Sequence, residues 1–143
     1  MEILNRKARF NYFIEEEYEC GIALKGTEIK SIREGSCNIG DSYAHVKRGE
    51  LYIINMFIGA YKQGNIFNHE ETRTRKLLMH KKEIIKLANK VKLEGYTLIP
   101  LKVYMKENRA KILLGLCKGK KDYDKRETMK ERDIQREIAK HYR

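Results

Sequence analysis

Cysteine, proline and long apolar runs are what this sequence has least of, and the shortages exclude several classes of protein. Its three cysteines, Cys20, Cys37 and Cys117, form an odd set with no CxxC pair, so neither a disulfide framework nor a paired zinc site is expected. The four histidines, His45, His69, His80 and His141, stand singly and give no metal-ligand spacing. No metal, cofactor or catalytic residue is therefore expected. Free cysteine behaves as a small hydrophobe, so the thiols should be buried and inert. The longest apolar stretch, around residues 53–61, is broken by Asn55 and Gly59 and cannot span a bilayer as a helix. Residues 1–10 carry charge without an apolar signal core, so a cytoplasmic chain with no membrane partner is expected. No Walker loop, GxSxG elbow or dinucleotide fingerprint occurs, and nothing supports nucleotide hydrolysis or acyl transfer.

Basic charge is what the sequence has in excess. Lys and Arg total 31 against 20 Asp and Glu, a net +11 on 143 residues, so the partner should be a polyanion. The length suits one domain, residues 1–118, with an appendage, residues 119–143. Period-two apolar alternation marks strands at Cys20, Ile22 and Leu24, across residues 51–58, and at Ile99, Leu101, Val103 and Met105. A further strand at residues 111–117 follows a hairpin turn of Glu107, Asn108 and Arg109. Pro100 lies inside a strand, which makes that strand an edge or places a bulge there. A short helix is predicted from a Thr27 cap to Gly35, and a longer one over residues 74–94, ending at Gly95. Short antiparallel strands with two or three flanking helices fit a mainly β fold, an OB-like closed barrel.

From Lys118 onward the chain holds ten Lys and Arg against six Asp and Glu, and its apolar residues are sparse. Ile134, Ile138 and Tyr142 repeat every four residues, a stripe too narrow to fix a helix on a core. The tail is expected to be disordered when free and to become helical on a partner.

Three segments carry chemistry. In LNRKARFNYF, cations Arg6, Lys7 and Arg9 interleave with Phe10, Tyr12 and Phe13; cations hold phosphates and rings stack on bases, although the rings equally suit a strand core. Glu15, Glu17 and Glu19 share one face of a strand. A solvated acidic face is the simple explanation, but one carboxylate can accept hydrogen bonds from a base edge. TRTRKLL sets Arg73, Arg75 and Lys76 at the predicted start of the long helix, where the macrodipole disfavours cations, so a phosphate partner is the reason to keep them.

Four segments together resemble the SmpB family of SsrA-binding proteins: NRKARFNYFIEEEYECGIAL at 5–24, KGTEIKSIREG and NIGDSYAHV within 25–46, TRTRKLL at 72–78, and GKKDYDKRETMKERD at 119–133. The resemblance covers nearly the whole chain. It implies a factor of trans-translation that binds the tRNA-like domain of transfer-messenger RNA (tmRNA) and delivers it to stalled 70S ribosomes. The tail would occupy the decoding centre and the empty mRNA channel. By motif, Asn5, Glu19 and Leu78 match family positions tied to tmRNA binding. Arg6, Lys7, Arg9, Lys25, Arg33, Arg73, Arg75 and Lys76 are chosen as phosphate contacts by charge and position. In the tail, Asp124, Lys125 and Arg126 match the functional motif, and Lys120, Lys121, Tyr123, Lys130 and Arg132 join them as ribosome-contacting candidates. Tyr123 stands where some members have histidine, which preserves ring stacking. A free monomer without enzymatic activity is expected. The alternatives are a generic OB-type RNA-binding translation protein, a metal-dependent RNA hydrolase using Glu15, Glu17 and Glu19, and a structural ribosomal protein.

Overall fold

Two tight turns set the register of the sheet. Arg48 and Gly49 (φ 53° and 76°) and Glu107 and Asn108 (φ 52° and 63°) place consecutive residues in the left-handed region, as two-residue hairpins matched to strand twist require. The first joins β4 (Tyr43–Lys47) to β5 (Glu50–Ile54), and the second joins β8 (Thr97–Lys106) to β9 (Arg109–Gly119). The computed structural model describes residues 1–63 and 68–141, with side chains as far as residue 132. The stripe of Ile134, Ile138 and Tyr142 lies outside the described side chains.

The other elements are β1 (Glu2–Leu4), α1 (Ala8–Asn11), β2 (Tyr12–Ile22), α2 (Gly26–Arg33), β3 (Cys37–Asn38), β6 (Phe57–Ile58), β7 (Arg75–Leu78), α3 (Lys81–Glu94) and α4 (Asp122–His141). The fold is mainly β with four helices among the described residues. Seven antiparallel strands follow the order β1-β8-β4-β5-β7-β2-β9, and β9 also pairs with β8. Pairing thus returns on itself through β8, β4, β5, β7, β2 and β9, although β4 meets β8 at only one residue pair, Ala44 with Leu98. Inside lie Cys20, Ile32, Leu51, Ile53, Leu77, Ile84, Leu87, Leu98, Val103, Ile112, Leu114 and Leu116. A smaller cluster of Ala8, Ile99 and Cys117 seats α1.

Several sequence expectations hold. Cys20 and Cys117 are buried, and burial pushes all three thiols up, to about 12 for Cys20 and Cys37 and about 11 for Cys117. Pro100 marks a bulge between itself and Lys102 rather than an edge, since β8 is paired on both sides. Gly35 and Gly95 adopt left-handed φ, 79° and 75°, at the two helix ends.

Others are corrected. Thr27 is not the cap of α2: Lys25 occupies that position, and the Thr27 hydroxyl meets Nδ1 of His69 at 2.8 Å. The apolar run at 51–58 is two strands, because Asn55 (φ 62°) breaks it. Leu24 lies beyond the end of β2. The long helix begins at Lys81, not at 74. Leu77 stands seven residues before Ile84 and so mimics helical phase, but Arg75 and Leu77 alternate inward with Lys76 and Leu78 as a strand. The tail, expected to be disordered when free and helical on a partner, forms helix α4 in this structure, and that expectation is not among those corrected. Asp124 accepts from the Lys121 N–H at 3.2 Å, acids fill the first turn, and Lys120 donates to Thr128 at 2.8 Å. No residue of 122–132 is buried, so the predicted lack of a packing face holds for that stretch.

What turns TRTRKLL into a strand is a buried ion pair. Arg75, wholly buried, donates from Nε to Glu28 of α2, from Nη1 to the Met56 carbonyl at 2.6 Å, and from Nη2 to the Glu70 and Glu71 carbonyls at 3.3 and 3.2 Å. Arg73 meets the other Glu28 oxygen at 2.6 Å, and the Lys25 N–H donates to that oxygen at 2.8 Å. Burial works to raise the Glu28 carboxyl, but hydrogen bonds from Arg73, the Lys25 N–H and Arg75 outweigh it and hold the group below 4.5. Glu28→Ala should cost about 3–5 kcal/mol in urea unfolding, because it strands a buried guanidinium. The carboxyl is depressed in the fold, so its contribution is complete above the unfolded-state value and is lost as pH falls through the lower folded value. The urea midpoint of the parent chain should decline on acidification through that window, and Glu28→Gln should remove that part of the decline. An unchanged midpoint in Glu28→Ala would show that the pair is not holding α2 to β7.

Candidate nucleic-acid interface

Alternation along β2 sends Glu15, Glu17 and Glu19 outward, as read from the sequence, with Phe13 on the same side, and their neighbours are less exposed. Strand register then builds a row across four strands: Tyr104 of β8 pairs with Lys111 of β9, Lys111 with Gly21 of β2, and Gly21 with Leu78 of β7. A Cβ on Gly21 would sit 3.2 Å from the Leu78 Cβ, so glycine leaves the space that this half-exposed leucine covers. In the neighbouring row, Leu113 pairs with both Lys102 and Glu19. Glu19 and Leu78, far apart in sequence, therefore share one outer sheet face with Lys76.

On that face Glu19 accepts from the Tyr104 hydroxyl and from Lys106 Nζ at 3.3 Å. Lys102 Nζ lies 5.3 Å from the Tyr104 ring centre and 3.3 Å from Glu2. None of Lys102, Tyr104, Lys106 or Lys111 stood out from the sequence. For Lys102, Tyr104 and Lys106 the available signal was the polar phase of β8, the residues between the apolar ones already read as a strand.

Asn5 takes a different place. It is buried, and its Nδ2 donates to the Pro100 carbonyl at 2.9 Å and the Ile39 carbonyl at 3.4 Å, tying the bulge of β8 to the segment after β3. Both donors are spent on carbonyls, and its Oδ1 has no partner among the described residues. Asn5 lines an open hollow of about 520 Å³ with Lys7, Asn11, Tyr12, Asp41 and Tyr43. A second hollow of about 410 Å³ adjoins it, with Arg6, Arg9 and Arg132 among its lining.

The cations divide. Arg6, Lys7, Lys25 and Arg33 are exposed, Arg9 pairs with Glu17 at 3.7 Å, and Lys76 pairs with Glu50 at 3.1 Å. Arg75 must be withdrawn as a phosphate contact, since it is fully buried with its donors committed inside the protein. Arg73 is half-buried against Glu28 and also faces inward. The cations at 73–76 do not open a helix, since α3 starts at Lys81. In the tail, Lys121, Tyr123, Arg126 and Lys130 are exposed and Asp124 and Lys125 partly so. Lys120 Nζ lies 4.9 Å from the Phe13 ring centre, and the Arg132 guanidinium lies 5.7 Å from that of Phe10. Glu15, Glu17 and Glu19 are not joined by a histidine or aspartate, and among the described residues no group of three or more such side chains is placed to hold a metal ion. No helix among those residues is long and apolar enough to cross a membrane.

A basic β protein with cations and rings spread over an open sheet face belongs to the class of polyanion binders by its electrostatics. The family described as SmpB protein matches residues 2–143, and the chain belongs to that family. It is 58% identical over 139 residues to the SsrA-binding protein of Geobacillus sp. (strain WCH70), covering 97% of this chain and 90% of that one. The SsrA-binding protein of Bacillus subtilis (strain 168) is likewise 58% identical, covering 97% and 89%. A solved structure described as "tmRNA-SmpB: a journey to the center of the bacterial ribosome" matches with a TM-score of 0.71 at 49% identity, over 85% of each chain.

The Tyr104 hydroxyl is the main cause holding the Glu19 carboxyl below 4.5, with Lys106 assisting against partial burial. Tyr104→Phe should therefore move the Glu19 carboxyl titration upward, read by carbon NMR of the side chain. A titration that does not move would show that the hydrogen bond is unpopulated in solution.

Proposed function

We propose that the chain is an RNA-binding factor of trans-translation, which binds the tRNA-like domain of tmRNA and delivers it to stalled ribosomes. The observation that carries this reading is the convergence of Glu19, Leu78 and Lys76 on one outer face, within a chain of the SmpB family. The ring of strand pairings acts as an OB-like closed barrel, and residues 1–118 form the RNA-binding domain. On this face Glu19, fixed as a carboxylate, accepts from base N–H groups, which gives selectivity that lysines cannot supply. It has acceptor sites left after Tyr104 and Lys106. Arg6, Lys7, Arg9, Lys25, Arg33 and Lys76 hold phosphates. Asn5 acts through the Pro100 and Ile39 carbonyls, positioning the segment that bears Arg6 and Lys7. The protein works in the cytoplasm as a monomer when free, binds without catalysing a reaction, and needs no cofactor.

The tail, residues 119–143, serves the ribosome. Its helix exposes Tyr123, Arg126 and Lys130 and buries nothing over 122–132, so it exchanges readily with disordered forms and is fixed as a helix in the decoding centre and the empty mRNA channel. Asp124, Lys125 and Arg126 carry that role.

The deciding experiment is a gel-shift titration against the tRNA-like domain of tmRNA with elongator tRNA as competitor at physiological salt. Strong preference for tmRNA is expected; equal binding would leave a generic OB-type RNA-binding translation protein. Truncation after Gly119 should keep tmRNA affinity within about threefold while abolishing tagging. Glu19→Ala should weaken specific binding by about 1–3 kcal/mol more than non-specific binding. A uniform loss across RNAs would make Glu19 a structural residue.

A further inference from the structure

Cations in a first helical turn oppose the macrodipole, and in this chain they lie at the start of α3 rather than within TRTRKLL. α3 opens with Lys81 and Lys82. At 100° per residue, Lys81, Lys82, Ile85, Lys86, Asn89, Lys92 and Leu93 share one face of this helix, and all seven are exposed. Ile84 and Leu87 face the core. No acid interrupts the exposed face. Glu83 stands toward Tyr18 and Cys20 of β2, and Glu94 stands toward Tyr96. Lys90, on the flank, satisfies Glu16 at 3.2 Å, with Lys86 farther from the same carboxylate. None of Lys81, Lys82, Lys86 or Lys92 forms an ion pair among the described residues.

Four cations on one ridge, none in an ion pair among the described residues and only Lys86 near a carboxylate, repel one another, and two also oppose the helix dipole, so the folded chain alone gives little reason for the arrangement. An anionic partner does. Continuity selects it: Lys81 and Lys82 follow Leu78, on the outer sheet face, by only three and four residues. The ridge then runs about 16 Å along the helix axis to Lys92.

We propose that this ridge is a phosphate track, which continues the RNA interface from Leu78 along α3 and holds the backbone of the same RNA. The inference rests on the reading that the outer face binds the tRNA-like domain of tmRNA. Its contacts are to phosphates, so they add affinity and salt dependence without sequence selectivity. Ile85 and Leu93 lie between the cations and do not contribute phosphate contacts.

The test compares two variants of equal net charge, Lys82→Gln with Lys86→Gln and Lys47→Gln with Lys62→Gln, by salt titration of binding to the tRNA-like domain. The ridge variant should bind more weakly and lose about 2 from the slope of log affinity against log salt, about 1 per lysine, while the control keeps the parent slope. Equal slope changes in both variants would reduce the ridge to general charge. Unchanged tmRNA binding with weakened ribosome binding would place the ridge against a different partner, and a loss reproduced by Ile85→Ser with Leu93→Ser at full slope would make the contact apolar; either outcome overturns the phosphate track. If the parent chain shows no preference for tmRNA, the functional reading itself fails, a result visible before any variant is compared.

Discussion

Glu28 is the carboxylate on which the arrangement of the other elements depends. It sits in the first turn of α2 and is wholly buried, a position with a prohibitive desolvation cost for a lone anion. Two arginines and a backbone N–H surround it, and Arg75 carries the connection on to the carbonyls of Met56, Glu70 and Glu71. One side chain thereby joins a helix, a strand and two loops. His69 closes the same region, bridging Thr27 of α2 and the Ile58 carbonyl of β6. With β7 fixed by this network, Leu77 faces the core and Leu78 faces out beside Gly21, so the outer face depends on a charge pair on the opposite side of the strand.

Much of this was legible from the sequence. Period-two patterning located β8 and the outward phase of Glu15, Glu17 and Glu19, because alternation is a local property that burial on one face enforces, and the run at 111–117 located most of β9, although Arg109, read as part of the turn, is the first residue of that strand. β7 was not legible. Its inward residue is an arginine, and a buried cation reads as a surface residue until its carboxylate, 47 positions away, is known. The same limit hid Tyr104, whose partner Glu19 is 85 positions distant. The four-residue helix α1 escaped for another reason: it has no capping side chain and buries only Ala8.

The outer face and the buried network also separate two uses of charge. Arg9 with Glu17, Lys76 with Glu50, Lys102 with Glu2 and Lys106 with Glu19 are solvent-exposed pairs at 3.1 to 3.7 Å. Such pairs contribute about 0–1 kcal/mol each, so each cation can exchange its carboxylate for a phosphate at little cost to the fold. Pairing also keeps a protein of +11 from presenting every cation to every polyanion at once. The carboxylates freed by exchange would then repel a misplaced backbone, which favours an RNA whose phosphates meet the cations and whose base edges meet the acids.

Within TRTRKLL this distinction falls between adjacent residues. Arg75 cannot leave Glu28 without stranding a buried ion, whereas Lys76, one residue on, pairs with Glu50 in solvent and is free to trade. A single basic motif therefore does not assign one role to all its cations. In a strand, the pleat sends one cation to the core and the next to solvent. Burial decides which is which: the inward cation supports the surface that carries the outward one.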